Sequence, residues 1–75
     1  MALDKQTQIY LELAKTRVKS NETDLALGGR PVGRILYYNG YYHVLTDAGQ
    51  DIGKRRSYPV AVNLLATHLA KGASA

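Results

Sequence analysis

One Asn-Gly pair sits between two pairs of tyrosines, in the run Tyr37-Tyr38-Asn39-Gly40-Tyr41-Tyr42. A type I′ turn needs positive φ at both central residues, and Asn-Gly meets that demand at the least steric cost. The run therefore predicts a two-residue β-hairpin with strands over residues 33–38 and 41–46. The turn also fixes the pairing. Tyr38 faces Tyr41, Leu36 faces His43 and Arg34 faces Leu45 on one side of the hairpin. Tyr37 faces Tyr42 and Ile35 faces Val44 on the other. Both faces carry apolar groups, so one can line a core and the other is left to touch something else.

The flanking sequence supplies helices. Asp4 fits an N-cap, with Leu3 placed before it as a staple. Ile9, Tyr10, Leu13, Ala14 and Val18 recur at three- and four-residue steps, predicting a first helix over residues 4–19. Residues 20–31 contain Gly28, Gly29 and Pro31 and read as a connection. After the hairpin, Asp47-Ala48-Gly49-Gln50 makes a turn into a short third strand over residues 51–55, in which Gly53 marks a bulge or an edge. Pro59 suits the first turn of a final helix over residues 59–71. Its inner stripe would be Val60, Ala61, Leu64, Leu65, His68 and Leu69, and Gly72 would stop it. The expectation is one α+β domain over residues 1–75. It is a helix, a three-stranded antiparallel sheet and a C-terminal helix, with both helices on one sheet face and residues 1–3 and 73–75 frayed.

The stretch Gly53-Lys54-Arg55-Arg56-Ser57, followed by a helix carrying Ala61 and Ala66, resembles the basic entry to the last helix of double-stranded RNA-binding domains. That resemblance implies a helix–three-strand–helix order and a phosphate contact at the helix start. Where that family places lysines at the start of this helix, the chain has Tyr58-Pro59. A three-stranded sheet packed on one helix is also similar to integrase arm-binding domains.

Charge adds to the functional reading. The net charge is +4. Residues 1–29 balance to zero, so the excess comes from Arg30, Arg34, Lys54, Arg55, Arg56 and Lys71 against Asp47 and Asp51. A concentrated positive field favours an anionic partner. Aromatic rings interleaved with cations are the ingredients of single-strand stacking platforms. Arg34, Tyr38, Tyr41, His43, Lys54, Arg55 and Arg56 are therefore the candidate nucleic-acid-binding residues. The alternative is a protein-interaction module, a homodimer or an adaptor or inhibitor of a larger protein, using Leu36, Tyr38, Tyr41 and Leu45 of the open sheet face.

Catalysis has little to stand on. Acid–base and nucleophilic chemistry need titratable groups paired at working spacing, and His43, His68, Asp47 and Asp51 form no such pattern. Two histidines do not define a zinc site, and no cysteine is present. The glycines at 28, 29 and 33 lack the lysine of a phosphate loop. His68 is expected to be a hydrogen-bonded core residue. The chain is thus expected to be a non-enzymatic binding protein without cofactor, metal or small-molecule substrate. No apolar run reaches the ~18 residues of a membrane span, and there is no signal-peptide pattern, so no membrane partner and a cytoplasmic setting are expected.

Overall fold

A computed structural model describes residues 4–73. The chain runs α1 (Lys5–Glu12), β1 (Ala14–Lys19), β2 (Glu22–Leu27), β3 (Arg30–Tyr38), β4 (Tyr41–Thr46), β5 (Asp51–Arg55) and α2 (Tyr58–Ala73). The five strands form one antiparallel sheet in the order β1-β2-β3-β4-β5. The α+β class stands, but the sheet has five strands, not the three expected from sequence. The element order that carried the resemblance to double-stranded RNA-binding domains does not hold. The staple at Leu3 and the fraying expected at residues 1–3 and 74–75 fall outside the described residues.

The tyrosine hairpin forms in the register its turn dictates. Asn39 and Gly40 have φ of 53° and 79°, and Tyr38 pairs with Tyr41, Leu36 with His43 and Arg34 with Leu45. A second hairpin was hidden in the presumed connection. Gly28 and Gly29, with φ of 60° and 82°, join β2 to β3 and set Leu27 opposite Arg30. Pro31 has no N–H to give a ladder, and it sits where the β2–β3 register shifts, the place a strand tolerates it. The third strand is present. Val44 pairs with Gly53 while Leu45 pairs with Asp51, so Ile52 is the extra residue of a bulge.

The first helix is shorter than its apolar spacing suggests. Asp4 does cap it, its carboxylate accepting a 2.7 Å hydrogen bond from the Thr7 N–H. The helix ends at Glu12, and Leu13 is already extended. Lys15-Thr16-Arg17-Val18-Lys19 alternates with period two and includes β-branched Thr16 and Val18, which fit a strand beside β2 better than another turn of helix.

Both helices lie on one side of the sheet. α2 packs on β3, β4 and β5, and α1 packs on α2. The core joins Leu25, Ile35 and Val44 of the sheet to Ala61, Val62 and Leu65 of α2. Close approach requires small groups: Ala61 and Ala66 are fully buried, and a Cβ on Gly33 would stand 2.9 Å from the Leu65 methyls. The buried stripe of α2 is therefore rotated from the expected one. Val60 and His68 are exposed while Val62 and Ala66 are buried, so His68 is not a core residue. Gly72 lies within the helix and does not stop it.

Candidate nucleic-acid interface

Because side chains alternate along a strand, burying Ile35 and Val44 beneath α2 turns Arg34, Leu36, Tyr38, Tyr41, His43 and Leu45 to the opposite face. No helix packs there among the described residues. β5 contributes Lys54, which pairs with His43, to the same face. Arg55 pairs with Tyr42 and so belongs to the helix side, which separates it from its neighbours in the basic cluster.

Two ring arrangements occupy the exposed face near the hairpin turn. Tyr38 and His43 stack with centroids 4.0 Å apart and planes within 10°. The imidazole Nε2 is buried there and has no hydrogen-bond partner among the described residues. Beside it, the Lys54 ammonium lies 4.5 Å from the Tyr41 ring centroid and the Arg56 guanidinium 5.5 Å from it. Arg56 Nη2 also donates to the Tyr41 hydroxyl at 3.3 Å. Such cation–π contacts contribute roughly 0.5–1 kcal/mol at exposed sites and hold long side chains in place. Neither cation reaches a carboxylate; the ion pairs among the described residues involve Arg34 alone.

Arg34 is a different kind of group. Its Nε donates to Asp24 at 2.8 Å and its Nη1 lies 3.5 Å from Glu22. The hydrogen bond and charge of Asp24, helped by Glu22, raise the guanidinium pKa further above its usual value. Sequence alone groups Arg34 with the free cations and misses Glu22 and Asp24, because the polar residues 21–24 read as a turn and not as β2. A Glu-x-Asp spacing on a strand puts both carboxylates on one face, which is the signal that could have found them. On β1, Arg17 and Lys19 stand opposite Asp24 and Glu22. The basic groups of the sheet thus include residues before position 30, and at this end they are largely balanced by acids.

The helix side carries its own aromatic cluster. Tyr37 and Tyr42 lie 4.6 Å apart, and Tyr42 meets Tyr58 edge-on at 5.8 Å. Burial pushes the Tyr58 phenol above its ordinary pKa, and the Thr23 side chain opposes the shift. Lys15 reaches over this ring at 5.1 Å. Tyr42 and Tyr58 pack against the core, while Tyr37 on the same side remains exposed. Leu36 and Leu45 on the exposed face are only half-buried.

Among the described residues there is no group of three or more histidine, aspartate or glutamate side chains placed to hold a metal. No helix there is long and apolar enough to cross a membrane. Comparisons of the chain with protein-family models, curated proteins and solved structures returned no match.

Proposed function

We propose that this chain is a non-enzymatic nucleic-acid-binding protein that uses the helix-free sheet face at its β4–β5 end. One observation carries the reading. Lys54 and Arg56 converge on the Tyr41 ring beside the Tyr38–His43 stack, unpaired with any described acid, on a face that no described helix covers. Rings fix the cations at low entropic cost, and the cations supply the potential that draws in a phosphate. Arg34, tied to Asp24 and Glu22, supports the sheet and contributes little to that potential. With no cysteine in the chain, a reducing cytoplasmic setting belongs to the same reading.

Binding of labelled single- and double-stranded oligonucleotides across a salt series tests it. The parent protein should show affinity that falls linearly with salt on a log–log plot. The double variant Lys54→Gln/Arg56→Gln should lose most of that affinity. Arg55→Gln removes one positive charge from the opposite side and should keep most of it. No salt-dependent binding by the parent would end this reading. It would leave a protein partner or a second copy as the group that covers Leu36, Tyr38, Tyr41 and Leu45.

A further inference from the structure

We infer that the ligand of this face is single-stranded nucleic acid, with a base stacked on Tyr38 and phosphates held by Lys54 and Arg56; the inference rests on the nucleic-acid reading above. Recognition of a duplex by sequence needs forked donors or amides aimed at base edges. The outward residues Leu36, Tyr38, Tyr41, His43 and Leu45 include no asparagine or glutamine. The one guanidinium at the centre of the face, that of Arg34, is already engaged by Asp24 and Glu22. Non-specific duplex binding instead requires many phosphate contacts. On this face Arg17 and Lys19 stand opposite Asp24 and Glu22, whose charges offset theirs, so the cations placed away from acids are few.

Away from Glu22 and Asp24, the face exposes a ring surface beside two point charges. Tyr38 is 51% exposed although one side of its ring lies flat on His43. Its outer side can extend the stack by one base, an option open only where bases are not already paired and stacked in a helix. His43 backs the ring and keeps it from collapsing onto the sheet. The Lys54–Tyr41–Arg56 cluster adjoins this stack, since Tyr41 is the cross-strand partner of Tyr38 and Lys54 that of His43. A backbone phosphate beside the stacked base would therefore meet both cations. Ring faces do not distinguish one base from another, so the expected preference is for strandedness and not for sequence.

The test follows tyrosine emission, which is informative because the chain has six tyrosines and no tryptophan. An oligothymidylate and a mixed-sequence duplex of equal length are titrated into the parent protein at several salt concentrations. The single strand should bind about tenfold more tightly or better and quench emission. With two phosphate contacts, its log–log salt slope should be about −1.4, from about −0.7 per contact on a single strand. Tyr38→Leu should weaken single-strand binding about tenfold with little change in slope, as expected for loss of a stacked base. Tyr38→Phe keeps the ring and should bind like the parent, which assigns the loss to the ring and not to the hydroxyl. A urea midpoint of Tyr38→Leu close to that of the parent excludes an effect on folding. Duplex binding as tight as single-strand binding would overturn this inference while leaving the nucleic-acid reading in place. Unchanged single-strand affinity in Tyr38→Leu would do the same. Absence of salt-dependent binding to either probe would overturn both.

Discussion

Val18 and Val44 occupy the same row of the same sheet face. That row crosses all five strands through Val18, Thr23, Ile35, Val44 and Gly53. Val44 is 0% exposed and Val18 is 65% exposed. The residue type, backbone conformation and face are shared, and the difference is cover. α2 lies over β3, β4 and β5, while β1 runs beyond it with all six residues exposed. The hydrophobic contribution of a valine is thus set by what the chain lays across it, not by its presence in a strand. One end of this sheet is a packed core and the other is a solvated ribbon.

Removing the cover from within should have the largest effect. Leu65→Ala empties the centre of the α2 contact with Ile35, Val44 and Gly33, and should cost about 2–5 kcal/mol, measured by urea unfolding. A loss below about 1 kcal/mol would show that α2 is not what divides the two ends. Overfilling the same contact should be milder. Gly33→Ala sets a methyl 2.7 Å from the Leu45 carbonyl oxygen and 2.9 Å from the Leu65 methyls, so backbone must shift, and about 1–3 kcal/mol should be lost. Stability unchanged by this alanine would mean that the sheet and α2 can separate freely. At the ribbon end, Val18→Ala should change stability by no more than about 0.5 kcal/mol. A loss comparable to that of a core residue would require Val18 to be covered in solution, which would point to a partner on that end of the sheet.

The covered end was the legible one. Asn39-Gly40 states its geometry within two residues, and the register of β3 with β4 follows without reference to the rest of the molecule. β5 and α2 were legible for similar reasons, since Gly49 and Pro59 punctuate the chain at their starts. β1 and β2 were not. Ala14 and Val18 happen to continue the helical spacing of Ile9, Tyr10 and Leu13, and no glycine or proline interrupts them. The alternation of Lys15 to Lys19 is equally present, but only pairing with β2 decides between the two periods. Gly28-Gly29 carries as direct a hairpin signal as Asn39-Gly40, yet the polar residues 21–24 before it hide the strand it turns from. The site was legible in part for the same reason. Tyr38, Tyr41, His43 and Lys54 follow from the hairpin and its neighbouring strand. The pairing of Arg34 and the outward placement of Arg56 without Arg55 depend on β2 and on the bulge.

The succession of strands has a kinetic consequence. Every strand is hydrogen-bonded only to its neighbours in the chain, so the sheet can assemble from local hairpins, which form in about 1–10 μs. The segment that buries its apolar side is the 16-residue α2, made after all five strands. On a ribosome adding about 5–20 residues per second, the hairpins wait on the order of a second before that helix exists. α1 waits as well, because its partner is α2, joined to it by the Gln6–Asn63 hydrogen bond. Until α2 is made, no described element covers the inner side of the sheet, the condition under which apolar strands are most exposed to aggregation.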